Sequence, residues 1–205
     1  MKELCKKIEN ILPSIHGWCN PVKAKKIVEI ILKNKSDLCV EIGVFGGSSL
    51  VPTAMSLKFN GKGVVYGIDP WGKQEALEEM KAEINKKWWD KVDYEDIYNH
   101  CLDNIKKYDI SNFCKIIRSK SEDAVSQFQD NSIDLLHIDG NHSEELSYKD
   151  AILYLPKVKT GGTILFDDIW WAEEDLITTR KAVVFLLKYC KKVEVIEDCL
   201  ILEKN

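Results

Sequence analysis

Apolar and polar residues follow one another along the chain in blocks that predict alternating strands and helices. Five short apolar runs, typical of buried strands, occupy residues 38–42, 63–68, 113–117, 133–138 and 163–166. Apolar positions at helical spacing separate them, at 48–58, 75–87, 94–107, 121–128 and 144–155. This alternation predicts βαβ units and a parallel sheet with helices on both faces.

The two ends of the chain depart from this alternation. Residues 3–12 and 21–34 have helical spacing, and Asn20-Pro21 is a start signal for the second helix. After Asp168 we expect a helix near 174–190 and then two apolar runs, 192–196 and 199–202, separated by Glu197-Asp198. These two runs predict a closing antiparallel hairpin.

Composition limits the classes of protein to which the chain can belong. With 205 residues, 45% hydrophobic and 30% charged, we expect one domain over residues 1–205. The net charge is −4 and the basic residues are spread out, so we expect no nucleic-acid partner. No apolar run approaches the ~20 residues that span a bilayer. Seven cysteines without a CxxC pair, and an N-terminus unlike a signal peptide, indicate reduced thiols and a cytoplasmic location.

Polar residues and glycines follow each strand-like run. In open α/β sheets ligands bind beyond the carboxyl ends of the strands, so these residues are candidates for a site. The glycines let a ligand approach the backbone, the next helix N-terminus attracts an anion, and Asp69 can accept ribose hydroxyls. The spacing Gly43-x-x-Gly46-Gly47 is not GxGxxG and argues against a dinucleotide. The candidates are Glu41, Gly43, Gly46, Gly47, Ser48, Ser49, Asp69, Ser119, Lys120, Ser121, Asp139, His142, Asp167 and Asp168.

Three of these carboxylates suggest a metal site. We expect the fourth and fifth strands to be neighbours, about 4.8 Å apart, so Asp139 and Asp167-Asp168 would converge. Unpaired carboxylates at that distance raise each other's pKa, and a hard divalent cation with oxygen ligands removes the conflict. The alternatives are a helix N-cap for Asp167-Asp168 and a turn before Gly140 for Asp139.

The motifs together resemble a known family. The E-x-G-x-x-x-G turn from Glu41, Asp69, and Asp139 with Asp167-Asp168 are similar to those of class I S-adenosylmethionine (SAM)-dependent methyltransferases. IDGNHS followed by a helix and GG-x-x-x-x-DD resembles the metal-dependent O-methyltransferases that act on sugars of macrolides and other glycosides, and more distantly catechol O-methyltransferase. The resemblance covers residues 36–170. It implies a Rossmann-like, doubly wound, seven-stranded sheet, mostly parallel with a C-terminal antiparallel hairpin.

The resemblance also implies roles for the candidate residues. Asp139 is expected to bind the cofactor and also to be a ligand of Mg²⁺ or Mn²⁺. The other two metal ligands implied are Asp167 and Asp168. His142 stands where the family carries its proton acceptor, and an imidazole accepts a proton near neutral pH. Its alternative is a helix cap or a surface histidine, while His137 is expected to be structural. The SAM-binding residues implied are Glu41 and Gly43 for the methionine part, Ser49 for its carboxylate, Asp69 for ribose, and Ser119, Lys120 and Ser121 beside adenine, together with Gly47.

The tryptophans indicate what kind of acceptor the protein could bind. Indole rings stack on sugars or aromatic rings, although they also pack in cores and subunit interfaces. Residues 71–101 exceed the length of one crossover helix and predict a lid. The tryptophans near the site in sequence are Trp71, Trp88, Trp89, Trp170 and Trp171.

We therefore expect a SAM- and divalent-metal-dependent O-methyltransferase acting on a hydroxyl of a sugar or glycan. The alternatives are a small catechol-like phenol as the acceptor, a metal-dependent hydroxylase on the same fold, and a binding module without catalysis. A homo-oligomer is left open.

Overall fold

The computed structural model describes all residues, 1–205. Nine α-helices and nine strands follow one another in chain order. The helices are α1 (Lys2–Ile11), α2 (Pro21–Asn34), α3 (Leu50–Asn60), α4 (Lys73–Leu77), α5 (Glu83–Trp89), α6 (Tyr94–Lys107), α7 (Ser121–Ala124), α8 (Glu144–Tyr154) and α9 (Arg180–Leu186). The strands are β1 (Leu38–Ile42), β2 (Val64–Ile68), β3 (Cys114–Ile117), β4 (Ile133–Ile138), β5 (Val158–Phe166), β6 (Ala172–Glu173), β7 (Leu176–Ile177), β8 (Cys190–Ile196) and β9 (Cys199–Lys204).

Seven strands form one sheet in the order β3-β2-β1-β4-β5-β9-β8. The first five are parallel, and β9 pairs antiparallel with both β5 and β8. This confirms the predicted fold class. From β1 the chain builds outward to β2 and β3 on one side and later to β4 and β5 on the other. The crevice between β1 and β4 is therefore the switch point at which open α/β sheets bind ligands.

Apolar residues cover both faces of the sheet. One buried cluster joins the N-terminal helices to α3 and α6 and includes Ile8, Ile27 and Leu50. The other joins α8 and α9 to the opposite face and includes Tyr154 and Leu186. Burying each such side chain stabilises the fold by about 1.5–3 kcal/mol. None of the helices combines the length and the apolar character that crossing a membrane requires.

Three predicted helices differ from the structure. The helix expected over 121–128 is α-helical only to Ala124 and continues as a 3₁₀ turn to Gln127. The helix expected over 75–87 is broken into α4 and α5, because Glu78 is extended and Glu79 has a left-handed backbone with φ 57°. The helix expected near 174–190 begins only at Arg180. Before it, β6 and β7 form a small hairpin whose turn residues, Glu174 and Asp175, both have positive φ. Such a turn fits the twist of a two-residue hairpin.

Candidate functional site

The carboxyl ends of the central strands lie side by side. The backbone N–H of Asp139, just after β4, donates to the carbonyl oxygen of Ile42 at 2.8 Å. The N–H of Asp167, just after β5, donates to that of Ile138 at 3.0 Å. Hydrogen bonding across the sheet thus continues one residue beyond the strands and sets these carboxylates at one edge.

A cleft of about 470 Å³ opens above this edge. Most residues predicted for the site lie on its wall, but Glu41, Gly46, Gly47, Ser119 and Asp167 do not. The predicted residues that line the cleft are Gly43, Ser48, Ser49, Asp69, Lys120, Ser121, Asp139, His142 and Asp168.

The turn after β1 packs tightly against the end of β4. Gly43 has φ 82°, and a Cβ there would lie 1.9 Å from the carbonyl oxygen of Asp139, so a larger residue would push the two strands apart. Glu41 is buried, and its Oε1 accepts a hydrogen bond of 2.7 Å from the Ser49 hydroxyl. Glu41 therefore positions Ser49, which reaches the cleft at the N-terminus of α3.

Asp69, after β2, is held by backbone donors. Its Oδ2 accepts the N–H groups of Val44 and Phe45, both at 2.9 Å, and its Oδ1 accepts that of Trp71 at 2.7 Å. Burial raises the pKa of Asp69, while these three N–H groups oppose the shift. Asp69 thereby joins the turn after β1 to the end of β2 and presents its carboxylate at the cleft wall.

Asp139, His142 and Asp168 form a cluster on the cleft side. Ligand-capable atoms of all three lie within 4.8 Å of one another. His142 Nε2 is 3.2 Å from Asp168 Oδ2, and the ring of Trp171 packs on the imidazole with centroids 4.6 Å apart. Burial, reinforced by the Asp167 charge, raises the pKa of Asp139 well above its ordinary value. Burial lowers the pKa of His142 in spite of the Asp168 carboxylate.

Asp167 faces the interior. Its Oδ2 accepts a hydrogen bond of 2.8 Å from Lys23 Nζ and lies 2.6 Å from His137 Nε2. His137 Nδ1 lies 3.5 Å from Glu41 Oε2. Burial disfavours the charged imidazole, yet Asp167 and Glu41 outweigh it and raise the pKa of His137 to about 10. Asp139 shares a buried cluster with His137 and Asp167, so the three predicted aspartates do not form one group around the cleft.

The residues at this corner fit a divalent cation. The cleft-side cluster offers two carboxylates and one imidazole, and Asp167 Oδ1 is buried without a hydrogen-bond partner. Carboxylate oxygens suit Mg²⁺ or Mn²⁺, and a cation would favour the ionised form of Asp139, whose pKa is raised by burial and by the Asp167 charge.

Lys23 belongs to the site but was not predicted from the sequence. It lies on the buried face of α2, with only 9% of its surface exposed. Burial opposes its charge, but Asp167 and Asp139 raise the pKa of Lys23 above its ordinary value. The available signal was a lysine among apolar positions, since the face it shares is formed by Ala24, Ile27, Val28 and Ile31.

Aromatic side chains form another wall of the cleft. Trp88 and Trp89 of α5 line it together with Trp18 and Phe45. Their ring centroids are 4.8 Å apart for Trp88–Trp89, 5.0 Å for Trp18–Phe45 and 5.5 Å for Trp18–Trp88. Trp18, from the segment between α1 and α2, is 61% exposed and had no predicted role.

The remaining predicted tryptophans divide between the cleft and other places. Trp171 lines the cleft, whereas Trp170 is 63% exposed and lies outside it. Trp71 is buried and donates its indole N–H to the carbonyl oxygen of Phe45 at 2.8 Å. Trp71 therefore supports the turn after β1 while also contributing to the wall.

Known proteins resemble this chain in sequence and fold. A family model described as a methyltransferase domain matches residues 40–169. Protein R132 of Acanthamoeba polyphaga mimivirus is 32% identical over 159 residues, which cover 73% of this chain and 61% of that protein. Protein y4gI of Sinorhizobium fredii is 29% identical over 90 residues, covering 38% of this chain and 10% of that protein. The chain thus matches less than two thirds of the length of either relative.

Solved structures share the fold at low sequence identity. The O-methyltransferase NovP has a TM-score of 0.69 and 16% identity, over 91% of this chain and 81% of that one. An O-methyltransferase from Bacillus cereus in complex with SAH (S-adenosylhomocysteine) has a TM-score of 0.66 and 11% identity, over 98% of this chain and 91% of that one. At these identities the comparison concerns the fold alone.

Proposed function

The chain belongs to the methyltransferase-domain family, as the sequence motifs predicted, and we propose that it transfers a methyl group from SAM to a hydroxyl oxygen with the help of a divalent cation. The observation that carries this proposal is the convergence of Asp139, His142 and Asp168 within 4.8 Å at the switch point of the sheet. Carboxylates and an imidazole around an open cleft suit the binding and deprotonation of a hydroxyl.

SAM is proposed to lie along the ends of β1, β2 and β3. The wall there offers the N-terminus of α3 at Ser49 for the carboxylate, Asp69 for the ribose, and Lys120 and Ser121 near the base. Gly43, which its φ of 82° and its contact with the Asp139 backbone require to be glycine, also lines this wall. A helix N-terminus and a carboxylate acceptor are complementary to the two polar ends of the cofactor.

The β4–β5 corner is proposed to prepare the acceptor. When bound, the cation would polarise the acceptor hydroxyl and SAM would supply the methyl group. Asp139 and Asp168 are the carboxylates that would hold the cation, whereas the third predicted ligand, Asp167, is paired with Lys23. His142 takes the proton, and Asp168, whose Oδ2 lies 3.2 Å from His142 Nε2, stabilises the imidazolium that forms. A base placed in this way contributes about 10²–10⁴-fold to the rate.

The acceptor is proposed to be a sugar, either free or within a glycan, with a catechol-like phenol as the alternative. The indoles of Trp88 and Trp89 line the cleft, where an indole can stack on a sugar ring, and adjacent sugar hydroxyls can bind one cation through two oxygens. Residues 71–101 are proposed to act as a lid, because Glu75, Ala76 and Asn85 also line the cleft. Enclosure of this kind excludes water and aligns the reactants. A cytoplasmic location is proposed from the seven free thiols.

An acceptor screen tests the proposal. The full-length protein would be incubated with methyl-labelled SAM and, separately, with oligosaccharides, nucleotide sugars and catechols, with Mg²⁺ or with EDTA. We expect label on a carbohydrate with Mg²⁺ and none with EDTA. Asp139→Asn serves as the inactive variant. It should abolish methyl transfer while SAH still binds. Label on catechol alone would reject the sugar, and equal transfer in EDTA would reject the cation.

A further inference from the structure

Lys23 places a fixed positive charge at the edge of the carboxylate cluster. Its Nζ lies 2.8 Å from Asp167 Oδ2, and the two side chains are 11% and 1% exposed. Lys23 also lines the cleft above the strand ends. The contact is therefore a buried ion pair beside the proposed cation site, and not a surface pair screened by water.

The pair separates Asp167 from the carboxylates that face the cleft. Asp167 Oδ2 is engaged by Lys23 and His137 together. On the cleft side the close cluster comprises Asp139, His142 and Asp168, whereas Asp167 belongs to a second cluster with Asp139 and His137. One of the three aspartates thus already has a cationic partner, Lys23, supplied by the protein.

We propose that Lys23 is an internal cation that neutralises Asp167 and keeps it out of the divalent-cation site, which is left to Asp139 and Asp168. This inference rests on the cation proposed above. It makes Lys23 of α2 a determinant of how tightly that cation binds. An ammonium group near a divalent ion repels it, and a neutralised Asp167 no longer attracts it. Both effects weaken cation binding, and charges at such distances change an equilibrium on the order of 10- to 100-fold.

The inference also gives the N-terminal helices a role in the site. Helix α2 lies before residue 40, where the methyltransferase-domain match begins. Its first turn is fixed by the Asn20 side chain, which accepts the N–H groups of Val22 and Lys23 at 2.9 Å each. Asn20 also contacts Glu197 in the turn between β8 and β9. The position of Lys23 is therefore set at both the helix start and the strand ends.

Mn²⁺ binding to the full-length protein, measured from the electron paramagnetic resonance signal of the free ion, tests the inference without any turnover. Lys23→Met keeps the aliphatic stem and removes the charge, so we expect Mn²⁺ to bind more tightly by about 10- to 100-fold. Lys25→Met is the matched control, since Lys25 is on the same helix with its side chain 62% exposed. We expect native affinity in that variant.

The double variant Lys23→Met/Asp167→Asn separates charge from coordination. It replaces one neutral pair by another, so we expect Mn²⁺ affinity to return to the native value. A loss of binding as complete as in Asp139→Asn would show that Asp167 is a direct ligand and would overturn the inference. If Lys23→Met alone does not fold, this variant, which leaves no unpaired Asp167 charge, still gives the decisive measurement.

The outcomes distinguish this inference from the proposed function. Unchanged or weaker Mn²⁺ binding in folded Lys23→Met overturns the role of Lys23, even if the native enzyme needs a metal. Absence of Mn²⁺ binding in the native protein contradicts the proposed metal dependence. In that case binding gained in Lys23→Met would support the inference, and no binding in either protein would overturn it.

Discussion

The two halves of the site hold their carboxylates in different ways. On the β1–β2 half, Asp69 accepts three backbone N–H groups from residues at most 25 positions away in the chain. On the β4–β5 half, Asp167 is held by the side chain of Lys23, which is 144 residues away, and by His137. Asp139 and Asp168 lie near each other on the cleft side with His142.

The difference indicates what each half binds. Backbone donors orient Asp69 and leave lone pairs for neutral hydroxyls, so the β1–β2 half suits a ribose. The β4–β5 half gathers more carboxylates than its own cations neutralise, which favours a bound cation. The comparison therefore predicts that substitutions on the β4–β5 half affect turnover and those on the β1–β2 half affect cofactor affinity.

The largest expected effect is at His142. His142→Gln should lower turnover by about 10²–10⁴-fold, because the proposed base is removed while a side chain of similar size remains. SAH affinity, measured by calorimetry, should be unchanged, since His142 lies on the other half of the site. Mn²⁺ affinity should also be unchanged. A parallel loss of Mn²⁺ binding would make His142 a ligand instead of the base, and undiminished turnover would make it structural.

A smaller effect is expected at Asp69. Asp69→Ala should weaken SAH binding by roughly 10- to 100-fold, the consequence of losing a charged hydrogen-bonding partner. The same change leaves the N–H groups of Val44, Phe45 and Trp71 without their acceptor, so the melting temperature should fall as well. Asp69→Asn keeps an acceptor oxygen and should be intermediate in both measurements. Native SAH affinity in Asp69→Ala would remove the contrast between the two halves.

The sheet was predictable from the sequence because its signal is local. A buried parallel strand needs a continuous apolar run, and the predicted bounds of β1 and β4, 38–42 and 133–138, are those observed. The break between α4 and α5 left no such signal, since it depends on the left-handed backbone of Glu79, a residue that helices accept.

The division among the aspartates could not be predicted in the same way. Asp167 and Asp168 are adjacent in sequence, but Asp168 has φ 55°, and only Asp168 lines the cleft. The partner of Asp167 comes from α2, which packs against the sheet only in the folded chain. Residue types and strand ends thus predict which carboxylates approach the edge, while long-range packing decides where each one points.

The smallest expected effect concerns Asp150, a buried carboxylate of α8 that lines the cleft and accepts a hydrogen bond from Ser121. Burial raises its pKa to about 6, against an ordinary value of about 3.9. Because the folded pKa is the higher one, Asp150 stabilises the fold most below pH ~4, and this contribution is lost as pH rises to about 6. Asp150→Asn should therefore melt a few degrees above the native protein at pH 8, about 2–4 °C per kcal/mol for a chain of this size, and no higher at pH 4.

Thermal unfolding between pH 4 and 8 measures this difference in melting temperature. Asp103→Asn, which changes an exposed carboxylate on α6, is the control. Parallel pH profiles for Asp150→Asn and the native protein would show that burial leaves the Asp150 carboxylate no harder to ionise in the folded protein than in the unfolded chain.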